Sequence, residues 1–154
     1  MAKAKKTEDK DVLRILKGST KFKTDISLVI LRFEPKFLVK LLTEIAEDVE
    51  KGKVIQISQG TSAIVIICTE SVAEIYEKRY KKYLISHKKD MAALVLMSPT
   101  KIVDTPGVLE FVLKRFAKNK LNIIELIGCY TDTTFVIEKK DLFRALDLLG
   151  EFGV

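Results

Sequence analysis

One order of segments runs through this chain twice. "DISLVILRF" (residues 25–33) is β-rich and nearly continuous in its apolar run, so it reads as a buried strand. Pro35 then opens "KFLVKLLTEIAEDVEKG". There Phe37, Leu38, Leu41, Leu42, Ile45 and Val49 fall at helical spacing and Gly52 ends the helix. "KVIQIS" and "SAIVIIC" follow as two strands joined at Gln59-Gly60-Thr61. A second helix, "ESVAEIYEKRYKKYL", carries Val72, Ile75, Tyr76, Arg79, Tyr80 and Tyr83 along one stripe. The order then starts again: strand "MAALVLM", a helix with Val108, Leu109, Val112, Leu113 and Phe116 on one side, paired strands "LNIIELIG" and "TTFVIE", and the closing helix "DLFRALDLL". A shift of about 70 residues lays one copy on the other, the mark of a duplicated unit. Identities are few (Leu38 with Leu109, Leu42 with Leu113, Ala46 with Ala117), so the match is one of pattern.

Each copy is β-α-β-β-α, which is most of a ferredoxin-like β-α-β-β-α-β unit. The expected class is α+β: two ferredoxin-like units, with antiparallel sheets and helices on one face. The expected division is 1–18, a mixed-charge tail (1–11) and a short apolar turn or helix "VLRILKG" stopped by Gly18; then 19–88; then 89–154. Only "GEFGV" follows the last helix, so the second unit lacks its final strand and its first strand would be an open edge. "STKFKT" (19–24) is a candidate for the missing strand, from the same chain or another; a bare edge is the alternative. Units of this size bury little surface alone, so two side by side, and a homodimer or higher oligomer, are expected.

The 154 residues carry a formal net charge of +6, which favours some attraction to polyanions. Two cysteines, Cys68 and Cys129, stand in or beside apolar stretches, which argues against a disulfide scaffold and for a reducing cytoplasm. No signal-peptide pattern and no apolar run of membrane-spanning length is present. Gln occurs only at positions 56 and 59 and Asn only at 119 and 122, a bias that leans toward a thermophilic source. The single histidine, His87, falls in "YLISHKKD", read as a solvated linker. No second histidine or cysteine spacing suggests a metal, no cofactor is implied, and no constellation of base and nucleophile suggests an enzyme. Cys129, with Gly128 and Tyr130 beside it, reads as a small apolar filler, the alternative being that it lines the pocket.

"VDTPGVLEF" carries the candidate site. Pro106 suits the first helical position, which makes Thr105 the N-cap with its hydroxyl on a free N–H. The remaining free amides and the helix dipole favour an anion. Gly107 leaves the approach open, at a cost of about 1 kcal/mol against alanine in a helix. Asp104 stands just outside, able to hold an ammonium group. The turn, with Val108 opening the helix, thus matches the charge pattern of a free α-amino acid. Asn122 and Ile123, at the start of the next strand, could complete the pocket with main-chain groups. A turn and helix start with no ligand is the alternative.

The stretch from Val103 to Leu146 resembles an ACT domain, the small ligand-sensing module attached to many enzymes of amino-acid metabolism. The resemblance lies in the Asp104-x-Pro106-Gly107 turn, the "LNII" strand entry and the passage "TDTTFVIEKKDLFRAL", which is similar to the regulatory end of aspartokinases. It covers residues 91–149. It implies a tandem, stand-alone ACT protein of archaeal type, with an amino-acid ligand at a surface where units pair and a metabolic enzyme or regulator as partner. The first copy resembles the module in pattern only. Its loop "RFEPKF" has Lys36 where approach would be needed, so one ligand site per chain is expected. The alternatives are a nucleic-acid-binding module, given the lysines and tyrosines of "EKRYKKYLISHKK", and a structural dimerisation piece.

Overall fold

The computed structural model describes residues 12–17 and 19–150. Residues 12–16 form α1. The elements after it are β1 (Ser19–Arg32), α2 (Pro35–Glu44), α3 (Ala46–Glu50), β2 (Val54–Gln59), β3 (Ala63–Thr69), α4 (Glu70–Arg79), β4 (Leu84–Met97), α5 (Val108–Lys118), β5 (Glu125–Cys129), β6 (Asp132–Glu138) and α6 (Leu142–Gly150). Short 3-10 turns lie at Thr100–Asp104 and Lys139–Asp141.

The chain forms two compact units. One is Thr24–Met91; the other joins the described residues up to Lys23 to those from Ala92 onward. Residues 19–23 therefore group with the second unit, where the sequence division at 88/89 had set them in the first. Both β1 and β4 are 14 residues long, and each passes from one unit into the other. Near each passage stands an aspartate at φ 56°, Asp25 and Asp90. Aspartate is one of the few residues that enter the left-handed region readily.

In Thr24–Met91 the strand order is β2-β3-β1-β4, the ferredoxin-like arrangement. β1 runs antiparallel to β3 from Ile26 opposite Thr69 to Arg32 opposite Ala63. Val29, Leu31, Ile64, Ile66 and Cys68 meet Phe37, Leu41, Val72, Ala73, Tyr76 and Tyr80 from the helices. The long helix expected after Pro35 breaks at the buried Ile45, which takes φ −97° and ψ 0°. Leu42 and Val49, expected in its buried stripe, are 45% and 46% exposed. The break carries two carboxylates to α4: Tyr76 donates to Asp48 Oδ2 (2.7 Å) and Tyr80 to Glu44 Oε2 (2.8 Å). Ile75 lies off the buried stripe and is half exposed.

His87 corrects a second expectation. It lies within β4 rather than in a linker, and its side chain is only 3% exposed. Nδ1 is 2.8 Å from Glu77 Oε2 on α4, while Nε2 is buried without a partner among the described residues. The next residue on the same face, Lys89, pairs with Glu74 at 3.2 Å. The stretch is thus an extended strand whose alternate residues face α4, a pattern its polar composition hides. The hydrogen bond from His87, with weaker help from nearby lysines, holds the Glu77 carboxyl below the usual carboxylate range. A depressed carboxyl adds stability above its unfolded value of about 4.3, and that stability is lost as pH falls through the lower folded value. Urea midpoints should fall on acidification below about pH 4.3, and Glu77→Gln should flatten that limb of the profile.

In the other unit the order is β1-β4-β6-β5. Because β1 lies beside β4 and residues 19–23 belong here, they fill the place of the missing last strand from within the same chain. β5 and β6 pair antiparallel from Glu125 opposite Val136 to Cys129 opposite Asp132, around the two-residue turn Tyr130-Thr131. Ala92, Leu94, Leu96, Phe135 and Ile137 pack against Val112, Phe116, Leu142, Ala145 and Leu149. Val12, Ile15 and Leu16 of α1 join this core, so α1 is part of the unit. The tail read over residues 1–11, like Gly18, lies outside the described residues.

Both cysteines are free. Cys129 ends β5 exposed, not as the apolar filler expected. Cys68 is buried, and burial, with Asp48 adding to it, pushes its thiol up to about 12. A thiol reagent at neutral pH should therefore modify one cysteine in the native protein and two in denaturant, mass analysis placing the first on Cys129. Among the described residues no helix is long and apolar enough to cross a membrane, and no three His, Cys, Asp or Glu side chains gather as a metal site.

Candidate functional site

The chain enters α5 through a 3-10 turn, not directly from a strand. The Thr105 N–H bonds to Ile102 O at 3.3 Å, and its hydroxyl donates to Lys101 O at 2.8 Å. That hydroxyl is committed to the turn behind it, so Thr105 is not the N-cap and Pro106 is not the first helical residue. α5 begins at Val108, with Gly107 as N-cap at φ 86° and ψ −6° and no side-chain cap. The left-handed angle redirects the chain from the 3-10 turn into the helix, and glycine is the residue that adopts it freely. A Cβ on Gly107 would meet nothing within 4 Å, so the backbone angle, not crowding within the chain, requires glycine here. In the first unit Pro35 does occupy the first turn of α2, after Glu34, and no such glycine is present.

This entry opens a pocket of about 430 Å³, lined by Ile102, Val103, Thr105, Gly107, Val108, Leu109, Glu110, Gly128, Tyr130 and Thr133. Of the residues named from the sequence, Thr105, Gly107 and Val108 are among these. Asp104, Pro106, Asn122 and Ile123 are not among the lining residues. Asn122 and Ile123 also precede the strand instead of starting it, since β5 begins at Glu125. The Phe111 N–H bonds to Gly107 O at 3.0 Å, and the amides of Val108 and Leu109, in the first turn of α5, precede that bond, where a helix has no acceptor of its own to offer. The Val108 side chain is buried in the core, so Val108 offers the pocket backbone above all. Glu110 is the one charged lining residue, and its carboxylate pairs with Lys114 at 2.6 Å.

The opposite wall is made by the neighbours of Cys129, Gly128 and Tyr130, together with Thr133, which the sequence reading did not name; Cys129 itself is not among the lining residues. Gly128 and Thr133 face each other across the β5–β6 ladder, and Tyr130 in the turn holds φ 54° while 78% exposed. An isolated glycine inside a strand pattern is a signal of close backbone approach, and Gly128 supplied that signal. A second concavity, of about 490 Å³, runs along α4 beside Ser71, Glu74, Ile75, Lys78 and Arg79. Tyr76 and Tyr80 are buried beneath this helix, so neither offers a ring for a base to stack on.

Comparison of the sequence with protein-family models gives no match, and comparison with curated proteins gives none. Solved structures do match. The regulatory subunit of aspartate kinase from Thermus thermophilus, in its ligand-free form, has a TM-score of 0.68 over 87% of this chain and 97% of its own, at 17% identity. The corresponding subunit from Thermus flavus gives 0.68 over 88% and 96%, at 16% identity. Aspartate kinase from Synechocystis gives 0.72 over 92% of this chain, at 17% identity, but over 28% of its own length. The chain likewise spans 34% of the Clostridium acetobutylicum aspartate kinase. The likeness is one of fold: α+β, antiparallel sheet with helices, the ACT-type fold of aspartokinase regulatory domains.

Proposed function

We propose that this protein is a non-catalytic regulatory module. It binds an amino acid or similar small zwitterion at the head of α5 and couples that binding to association with a second copy or a partner enzyme. The observation that carries the reading is the left-handed Gly107, which heads α5 without a side-chain cap and lines, with Val108 and Leu109, a pocket with mostly apolar walls. A carboxylate suits the first-turn amides and the positive end of the helix dipole. The shared fold with regulatory subunits of aspartate kinases supports the same reading. The pocket would shift association only if ligand affinity differs between the paired and unpaired states.

A thermal-shift screen of the full chain against the twenty amino acids tests this. At least one should raise the melting temperature in proportion to the logarithm of its concentration once saturating. Gly107→Val, strained at φ 86° by roughly 1–2 kcal/mol, should melt lower and lose that response. Silence across all twenty, with short RNA bound in a steeply salt-dependent way, would favour the nucleic-acid alternative instead.

A further inference from the structure

α2 and α3 carry more apolar surface than their own unit uses. Phe37, Leu41 and Ile45 form the buried row. A second row, Val39, Leu42, Ala46 and Val49, recurs at steps of three, four and three residues, the spacing of a helix-pairing seam. This row stays in the open: Val39 is 68% exposed, Leu42 and Val49 nearly half, and Ala46 is exposed as well. The break at Ile45 does not interrupt it, because the Ile45 N–H bonds to Leu41 O and the Val49 N–H to Ile45 O, both at 3.0 Å. The row also faces away from α4. Glu44 and Asp48 reach Tyr80 and Tyr76 on that side, while Leu42 and Ala46, each two residues earlier, stand about 160° round the helix from them.

The order of the row points to its occupant. About Glu44 it is symmetric at its ends, Val39 and Val49, and between them it sets a large side chain, Leu42, against a small one, Ala46. Charge reverses across the same point. Among residues 35–50, Lys36 and Lys40 come before Glu44, and Glu47, Asp48 and Glu50 come after it. An isolated helix favours the opposite arrangement, yet α2 has no acid in its first turn and no base in its last. The Lys40–Glu44 and Lys51–Glu47 pairs along these helices are exposed to solvent and hold their charges weakly. An antiparallel second copy answers each feature. Valine meets valine, leucine meets alanine, and the lysine half of each helix lies beside the acidic half of the other. Such self-complementarity about a point is what a two-fold contact requires.

We infer that a second copy of this chain docks on the row Val39, Leu42, Ala46 and Val49, helix against helix, antiparallel about a two-fold axis at Glu44. This makes specific the association half of the reading above and stands apart from its amino-acid half. The row is about 15 Å long. That is too short to bury the roughly 1,200 Å² of a standard interface, so the dimer is transient and forms in the micromolar range or above.

Sedimentation velocity of the full chain without added amino acid, from about 10 μM to about 1 mM, tests this. Monomer should give way to dimer as concentration rises. Leu42→Glu should raise the dissociation constant roughly tenfold or more. Its melting temperature at low concentration should stay near that of wild type, because the side chain it replaces is half exposed. Phe143→Glu, at an exposed position on α6, should leave the dimer unchanged. Lys40→Glu and Glu47→Lys should each weaken it, and the double variant should recover most of the loss, as antiparallel pairing demands. A monomer at every concentration, a dimer that Leu42→Glu leaves intact, or a double variant without recovery would overturn the inference. No ligand is present in this experiment, so the amino-acid reading stands or falls by the thermal-shift screen alone.

Discussion

Phe116→Ala is expected to lower the stability of the unit that carries the pocket by about 3–5 kcal/mol in urea denaturation. The ring is fully buried, its centroid 5.6 Å from that of Phe135. Around it stand Val112, Ala145 and Leu149, residues of three different turns of α5 and α6. Truncation to alanine loses the transfer energy of the ring, leaves a cavity that such neighbours cannot fully close, and removes an aromatic pair worth about 0.5–1.5 kcal/mol more. Phe143→Ala is the control. That ring, on α6, is 78% exposed, and its removal should change stability by no more than about 0.5 kcal/mol.

Asp48→Ala should cost the other unit about 2–3 kcal/mol, although Asp48 stands on the short helix α3 and looks replaceable. Its carboxylate accepts from the hydroxyl of Tyr76, a side chain with no exposed surface. Burial first, then the bond and charge of Asp48, push the Tyr76 phenol far above its ordinary value, so at neutral pH it is a donor. Without Asp48 that donor is buried and unpaired, and the full desolvation penalty appears. Tyr76→Phe should cost less, since the carboxylate it frees is partly solvated and has Lys53 at 3.9 Å. The double variant should be milder than the sum of the two, a positive coupling that a double-mutant cycle by denaturation measures directly.

The repeated order of strands and helices was legible because local periodicity carries it. Phe37 and Leu41, or Val112 and Phe116, sit a helical turn apart, and the core confirms them. What escaped was set by partners distant in sequence. "YLISHKKD" shows no apolar alternation, yet it forms part of β4, with His87 and Lys89 drawn to Glu77 and Glu74 on α4. Residues 19–23 were recognised as a spare strand, but no local signal could assign them to the unit that begins again at Ala92. Ile45 reads as an ordinary stripe residue; the break there gains its meaning from Tyr76 and Tyr80, far along the chain.

The candidate site divides in the same way. Gly107 was legible because proline and glycine before an apolar helical run already mark a special entry. The direction of that entry was not legible, since it depends on the 3-10 turn at Thr100–Asp104, which has no periodic signature. Thr105 consequently spends its hydroxyl on Lys101 O instead of on the helix. The far wall, Gly128 with Thr133, arises only when β5 pairs with β6.

Backbone amide shifts followed by NMR during titration with the amino acid that most raises the melting temperature test the central claim most directly. The account predicts saturable shifts concentrated at Gly107, Val108, Leu109, Glu110, Gly128 and Thr133. Shifts centred elsewhere, or none at saturating ligand, would contradict it.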